Sequence, residues 1–332
     1  MATLSTSVIG LIDLYKSQNG NGQIIPVIEM LSEMNPILDD AMAVECNQGT
    51  THKHAIRTGL PTVTWGKLYK GTPQSKSRRA QVEDTTGFVE GLSSVDTRLL
   101  KLSGNEGAVR LAEATSYLES MSQEVATKIF YGNSAADPDQ FMGLSPRYND
   151  LSAANGNNII DAGGTGIDNT SIWFVTWGDM QTQLLYPKGT QAGVQREDMG
   201  KQRVLDDEGN PYWAMEEMFT WNIGLAVKDW RYNVRIANID VSDLIAGSLN
   251  LYTFMRKAYY KMYGRRVPNG KSCIYLNSDC MEALDALATN AGAVDNFVRL
   301  TPKEIEGKSV LTYRGIPLRE TDALLNTEAR VV

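Results

Sequence analysis

The sequence predicts a mixed α and β protein in which one long helix joins an extended, charged segment to a β-rich second half. The helical run covers residues 106–131 and ends in Phe130-Tyr131-Gly132-Asn133. A charged, extended segment precedes it, and the loop-like residues 138–144 follow. A long helix joined to a projecting two-stranded arm suits a plate that packs against copies of itself, and it is a poor scaffold for a buried catalytic pocket. The order of elements therefore favours assembly.

Composition and charge limit the classes of function. The chain has 332 residues, 42% apolar and 21% charged, so sizeable cores can form. Its net charge is −7, with 39 acidic and 32 basic residues. Proteins that grip nucleic acid along much of their surface are basic, so any contact with DNA is expected to be weak, local or merely enclosing.

Cysteine usage and hydropathy predict a protein made in a reducing cytoplasm. Cys46, Cys273 and Cys280 are scattered and form no CxxC pair, which argues against a disulfide framework and structural zinc. The amino terminus has no secretory pattern, and no apolar run approaches the ~20 residues that span a bilayer.

The first 56 residues predict an arm that lies across another element. Residues 4–17 and 24–43 have the pattern of short amphipathic helices, separated by the flexible residues 19–22. Pro26 fits a first helical turn, whereas Pro36 ends or kinks the second helix because the residue before proline leaves the α region.

The next segment changes to the period of a strand. Residues 62–65 alternate polar and apolar, and residues 70–73 have turn chemistry. The basic tip and acidic return consist of Lys76, Arg78, Arg79, Glu83 and Asp84. Two strands alone are marginal in water, so we expect this piece to project and to bury its surface on another chain. The alternative is a disordered charged loop.

The long helix has start and stop signals. Ser103 and Glu106 form a candidate capping box, and Gly132 can take the left-handed position after the last turn. A narrow apolar stripe is predicted to consist of Leu111, Ala114, Leu118, Met121, Val125 and Ile129. A helix of 26 residues at ~1.5 Å per residue is a rod of about 39 Å.

The remainder of the chain predicts strands interrupted by two helices. Residues 146–170 indicate a surface loop or lobe boundary, and residues 206–211 are a strong turn signal. Strands are predicted over 171–177, within 212–238, over 272–276, and as a pair over 309–319 with a bend at Gly315. A second long helix is predicted over 242–263 with Gly264 as its stop, and a third begins near Asn277 or Ser278.

The sequence contains only weak candidates for a metal-binding site. His52 and His54, two positions apart, could hold a metal with Cys46, but solvated loop histidines are the better interpretation. The turn at 206–211 has the spacing of a calcium loop through Glu217, yet Pro211 stands where the sharp turn requires glycine.

An aromatic run on the second half's predicted long helix could form a base-stacking platform. It consists of Tyr252, Phe254, Tyr259, Tyr260 and Tyr263. At helical spacing a packing stripe is the better interpretation, and Arg265 and Arg266 are interpreted as favourable charges at the helix carboxyl end.

Four segments carry a resemblance to a known family: residues 65–84, the long helix through Asn133, residues 141–148 and residues 313–318. In this order they resemble the major capsid proteins of tailed bacteriophages, and are most similar to coat proteins of short-tailed phages. The order, not any one motif, is specific.

The resemblance implies the Hong Kong phage capsid fold, an α+β subunit. The implied parts are an N-terminal arm (1–56), an extended loop (57–92), a spine helix with a peripheral domain (93–165), a mainly axial domain (166–300) and terminal strands that return to the peripheral domain (301–332). The implied function is self-assembly into hexamers and pentamers of an icosahedral shell that encloses double-stranded DNA.

The resemblance also implies partners and a place of work. Scaffolding, portal and cement proteins are expected partners, in the virion and, during assembly, in the host cytoplasm. From the residues themselves we expect no cofactor, no metal, no catalytic residue and no membrane. The chain begins almost directly with the arm, so a separate scaffolding protein is expected, and no Lys–Asn cross-link is predicted. The inter-subunit contact candidates are Trp65, Lys67, Lys70, Lys76, Arg78, Arg79, Glu83 and Asp84.

Two alternatives remain open. One is an encapsulin-type compartment shell, which would expect a pocket for a cargo peptide. The other is a hydrolase that uses carboxylates near the 206–217 turn, such as Asp206 and Glu217.

Overall fold

A computed structural model describes residues 33–206, 208–267, 269–289, 300–305 and 308–332. Its helices are α1 Ile37–Asp40, α2 Thr97–Ser103, α3 Glu106–Tyr131, α4 Val241–Ile245, α5 Leu251–Lys261 and α6 Ser278–Thr289. Its strands are β1 Ala43–Glu45, β2 Thr51–Gly59, β3 Arg78–Asp96, β4 Ile159–Asp161, β5 Asn169–Trp177, β6 Thr182–Tyr186, β7 Val194–Leu205, β8 Pro211–Val227, β9 Val234–Asp240, β10 Lys271–Leu276, β11 Thr301–Ile305, β12 Lys308–Tyr313 and β13 Ile316–Glu320. No helix in these ranges is both long and apolar enough to cross a membrane.

One sheet of 13 strands organises the molecule, in the order β11-β12-β13-β10-β5-β6-β8-β3-β2, with β1, β4, β7 and β9 paired beside this path. All nine residues of the central strand β5 are buried. Its side chains alternate between two cores, with Trp173 and Val175 on one face and Ile172 and Phe174 on the other. A continuous apolar strand therefore reflects a sheet that is covered on both faces.

The two faces of the sheet are covered by different helices. The carboxyl-terminal half of α3 packs Val125, Ile129 and Phe130 into the first core, where the Phe130 ring centroid lies 6.3 Å from that of Trp173. Helices α4, α5 and α6 cover the other face. The spine helix and the second-half helices thus share one sheet.

The limits of α3 confirm the prediction, but both of its caps differ. Asn105 is the N-cap and accepts the Ala108 N–H at 3.2 Å, while Ser103 Oγ donates to the Leu100 carbonyl. Gly132 has φ −51°, so it is not left-handed. A Cβ there would lie 2.6 Å from the Phe141 carbonyl oxygen, which means that glycine is needed for a close approach of backbones.

The predicted apolar stripe of α3 is correct only in part. Ala114, Met121, Val125 and Ile129 are buried, whereas Leu111 and Leu118 are 68% and 42% exposed.

The predicted second long helix is wrong. Gly247, with φ 70°, separates α4 from α5, and Asn250 caps α5 by accepting the Tyr252 N–H at 3.1 Å. The predicted cap at Asn277 is confirmed, since its side chain accepts the Cys280 N–H at 3.0 Å. The predicted bend at Gly315 is also confirmed, with φ 83°.

The predicted helix over 4–17, and most of that over 24–43, lie outside the described residues. Residues 33–35 are irregular, and α1 begins directly after Pro36.

The extended segment begins and ends earlier in the chain than predicted. β3 first pairs with β2, from Arg79 opposite Arg57 to Thr85 opposite Thr51, and then pairs with β8 from Thr86 onward. The predicted loop, residues 57–92, therefore includes residues 86–92 of β3, which pair with β8 in the chain's own sheet. Residues 62–65 form no strand. We use "arm" for β2, residues 60–77 and β3 up to Thr85.

A buried ion pair fastens the carboxyl-terminal segment to the sheet. Arg235 donates to Glu328 Oε2 at 2.8 Å, to Ser171 Oγ at 3.0 Å and to the Tyr148 carbonyl at 2.8 Å. Tyr131 at the end of α3 also donates to Glu328. One carboxylate thus joins the end of the chain, the spine helix and the sheet.

Candidate assembly surfaces

The tip of the arm exposes large apolar side chains. Residues 60–77 form no strand, and Trp65 is 96% exposed. The other exposed apolar side chains of this stretch are Leu60, Val63, Leu68 and Tyr69. Ser75 Oγ donates to the Thr62 carbonyl at 2.7 Å and joins the two sides of the stretch. Contiguous exposed apolar surface with a polar rim marks an interaction site.

Basic side chains surround this apolar tip. Lys67, Lys70, Lys76, Arg78 and Arg79 are all exposed. None of them forms an ion pair with another residue in the described ranges, where the ion pairs involve other cations, such as Lys53 and Arg147.

The two acidic contact candidates lie at the base of the arm. Glu83 pairs across the strands with Lys53 at 3.4 Å. Asp84 is only 4% exposed and accepts from Arg147 Nη2 at 2.8 Å. Arg147 also donates to the carbonyls of its own loop and of Leu225, so the pair fixes the arm to β8. Because Asp84 is buried and binds Arg147 of the same chain, it is not part of the surface available to a neighbouring subunit.

The two histidines correct another prediction. They lie on β2, His52 is buried, and both are shielded from solvent instead of standing in a solvated loop. Burial lowers the pKa of His52 and of His54, while nearby Asp84 opposes the shift. Burial also raises the pKa of the Cys46 thiol to about 11. Within the described residues, no group of three or more His, Cys, Asp and Glu side chains is placed to hold a metal ion.

An acidic groove lies between α3 and β3. Its volume is about 540 Å³, and its walls include the carboxylates of Glu33, Glu90 and Glu124. Gly91 forms part of the floor, where a Cβ would come within 2.8 Å of the Tyr117 ring. The groove therefore combines negative charge with an aromatic floor, which complements the charge of the arm tip.

Glu217, a candidate hydrolase carboxylate, holds the β7–β8 hairpin against α3. It is buried, accepts from Arg196 at 2.7 Å and pairs with Arg110, which also binds Asp198 at 2.7 Å. The hydrogen bond from Arg196 lowers the pKa of Glu217, with Arg110 acting in the same direction. A carboxylate held charged by two guanidinium groups is unsuited to give up or take a proton near neutral pH.

Asp206, its predicted partner, lies in the hairpin turn. Its side chain accepts the N–H groups of Glu208 at 3.1 Å and Asn210 at 2.7 Å. The structure therefore confirms a hairpin turn where the calcium spacing occurs. It does not bring Asp206 to Glu217, because Glu217 lies on β8 opposite Asp198 of β7.

The aromatic run divides between core and surface. Tyr252 is buried, in agreement with a packing stripe, but Tyr260 is 52% exposed.

The sequence analysis did not identify Arg147 and Arg110 as residues that bind elements together. Their partners lie far away in the chain, so no local signal could have identified them.

A family model and one similar solved structure both indicate phage capsid proteins. A family model described as Major capsid protein GP7 matches residues 19–332. A chain in the near-atomic cryo-EM structure of bacteriophage Epsilon15 is similar with a TM-score of 0.79 and 35% identity, covering 100% of this chain and 99% of that one. An encapsulin from Synechococcus elongatus PCC 7942 matches with a TM-score of 0.43 and 10% identity, over 70% of this chain and 96% of that one. No curated protein sequence matches the chain.

Proposed function

Because this chain belongs to the Major capsid protein GP7 family, we propose that its arm joins neighbouring subunits of a phage shell. The chain is a bacteriophage major capsid protein, a structural component of the virion with the Hong Kong phage-type fold. The resemblance inferred from the sequence is confirmed, and the hydrolase alternative is set aside because the family is structural. The encapsulin likeness is distant.

The observation that carries the proposal is the bare tip of the arm. Trp65 stands almost fully in water in the single chain. A tryptophan side chain offers ~200 Å² of contact area, so its burial on a neighbour would contribute up to about 5 kcal/mol before association costs. Such an anchor is typical of an interface.

Charge supports a specific place for the tip. The tip is basic, and the groove between α3 and β3 carries Glu33, Glu90 and Glu124. We propose that the tip of one subunit docks over this groove of the next. Complementary charge of this kind chiefly sets register and suppresses wrong pairings, while apolar contact supplies affinity. The retained contact candidates are Trp65, Lys67, Lys70, Lys76, Arg78, Arg79 and Glu83.

The remaining expectations belong to the same proposal. Subunits would form hexamers and pentamers with the domain limits predicted above, except that the arm begins at Thr51 and ends at Thr85. Scaffolding, portal and cement proteins would take part during assembly in the host cytoplasm. The net charge of −7 supports enclosure of double-stranded DNA without base-specific binding.

Charge reversal tests the arm. Lys76→Glu/Arg78→Glu/Arg79→Glu should leave a folded monomer but reduce closed particles by at least about tenfold, because the tip would then repel the acidic groove. Particles are counted by sedimentation and negative-stain microscopy. Adding Glu90→Lys/Glu124→Lys should restore part of the yield.

The control variant has the same change of net charge at exposed positions outside the arm: Lys101→Glu/Lys188→Glu/Arg330→Glu. Normal particles from the arm variant, or equal loss in the control, would count against the proposal.

A further inference from the structure

We call the part of the molecule built from β5, β9, β10, α4, α5 and α6 the lobe. One end of this lobe is basic and aromatic. Residues 244–270 contain five Lys or Arg and no Asp or Glu. The exposed cations that we call the basic end are Arg256, Lys257, Lys261, Arg265, Arg266 and Arg314. They lie toward the carboxyl end of β5, because Lys271 is opposite Trp177 and Met262 contacts Thr176.

Aromatic rings contact three of these cations, Lys257, Arg265 and Arg314, without neutralising them. The guanidinium carbons of Arg265 and Arg314 lie 4.9 Å and 5.3 Å from the centroid of the exposed Tyr260 ring. Burial and then the charge of Lys257 lower the pKa of Lys261. No carboxylate in the described part of the chain forms an ion pair with any of the six cations. Such a concentration of unneutralised charge suits an anionic partner.

The opposite end of the same lobe is acidic. The acidic end consists of Asp168, Asp240, Asp243, Asp279 and Glu282. It lies at the amino end of β5, since Asn169 is opposite Asp240 and the Val241 N–H donates to the Asp168 carbonyl at 3.0 Å. Residues 148–187, 236–255 and 272–289 contain no Lys or Arg.

The acidic end also has a groove of about 330 Å³ between α4 and α6. Leu249, Ala283 and Leu287 line it, Asp279 and Glu282 stand at its rim, and Ile245 beside it is exposed. An apolar floor with a charged rim is the composition of a protein interface.

We propose that the basic end of one subunit binds the acidic end of the next copy of this chain, so that lobes join head to tail in a closed ring. The two ends lie at opposite ends of β5, whose nine residues span roughly 26 Å at about 3.3 Å per residue. Separate, complementary surfaces on one chain are what a heterologous ring interface requires. This inference rests on the proposed function, since it needs a shell-forming subunit, but it uses a surface distinct from the arm.

A second copy fits the basic end better than DNA does. The chain carries both complementary surfaces, so each copy supplies the partner that the next one needs. Packaged DNA at the basic end would leave the carboxylates of the acidic end unneutralised, and the net charge of −7 opposes DNA.

Paired charge reversals test the inference. Arg265→Glu/Arg266→Glu and Asp243→Lys/Glu282→Lys should each reduce closed particles by about tenfold, since like charges then meet at every contact. The four substitutions combined in one chain should return the yield to within about threefold of the unmodified protein, because the ends are complementary again. Circular dichroism melting of each monomer checks folding.

Every outcome bears on the proposal. If the combined variant yields no more closed particles than either double variant, the inference is overturned. The proposed function is judged separately by the arm variant. Binding of an about 30-base-pair DNA duplex near 0.15 M salt that Arg265→Glu/Arg266→Glu abolishes would make DNA the occupant and also overturn it. Should a reversal unfold the monomer, Arg265→Ala/Arg266→Ala and Asp243→Asn/Glu282→Gln replace it, and unchanged yield from both would contradict the proposal.

Discussion

The sheet around β5 and the arm differ in how much of their apolar surface the chain itself buries. Every residue of β5 is buried by the chain itself, whereas the tip of the arm leaves Trp65 and Tyr69 in water. The base of the arm lies between these extremes, since Asp84 and Arg147 bind it to the body while its tip stays free. The chain therefore covers the apolar surface of the sheet by itself, whereas the arm tip leaves apolar surface available to a neighbour.

The largest expected effect lies in the buried network at the end of the chain. Glu328→Ala should lower the free energy of unfolding of the monomer by about 3–5 kcal/mol, because it leaves the Arg235 guanidinium buried without a counter-charge. Urea unfolding measures the loss. The matched control is Glu197→Ala on exposed β7, which should stay within about 0.5 kcal/mol. Equal losses of stability in the two variants would contradict the expectation that the buried carboxylate contributes more than the exposed one.

The next effect separates two positions of the same helix. Ile129→Ala should cost about 2–5 kcal/mol in the monomer, since Ile129 is buried against the sheet. Leu111→Ala, in the same predicted stripe, should cost less than about 0.5 kcal/mol because Leu111 is exposed. Thermal or urea unfolding compares them. A large loss from Leu111→Ala would show that the amino-terminal part of α3 is covered in the free subunit.

The smallest effect is a pH dependence at the base of the arm. Burial lowers the pKa of His52 and His54 from 6.5, so below about pH 6.5 the unfolded state binds protons that the folded state resists. Their contribution to stability is complete above that pH and declines as pH falls toward the lowered folded values. The groups facing them are Asp84, Arg147, Lys228 and Asp179.

Hydrogen exchange of residues 51–59 measures this dependence. After correction for intrinsic rates, protection should fall between about pH 7.5 and about pH 5.5. His52→Gln/His54→Gln should remove most of the difference, because glutamine does not titrate. Persistence of the full difference in that variant would assign the pH dependence to other groups.

Sequence alone determined those features whose causes are local. The limits of α3, the buried strand over 171–177, the hairpin turn near Asp206, the cap at Asn277 and the bend at Gly315 all follow from periodicity, side-chain caps or turn chemistry within a few residues. The family resemblance also followed from the order of such segments. For this reason the class of fold and the function in a shell were predictable.

Only the tertiary structure decided features whose causes lie far apart in the chain. β3 finds its second partner in β8, which places the end of the arm at Thr85 and not at residue 92. Asp84 meets Arg147, so a residue that looked like a contact is part of the interior. Gly132 serves a close approach to Phe141, and the basic and acidic ends of the lobe separate along β5. Long-range pairing sets burial, and burial determines which charges and apolar groups remain available to a neighbour.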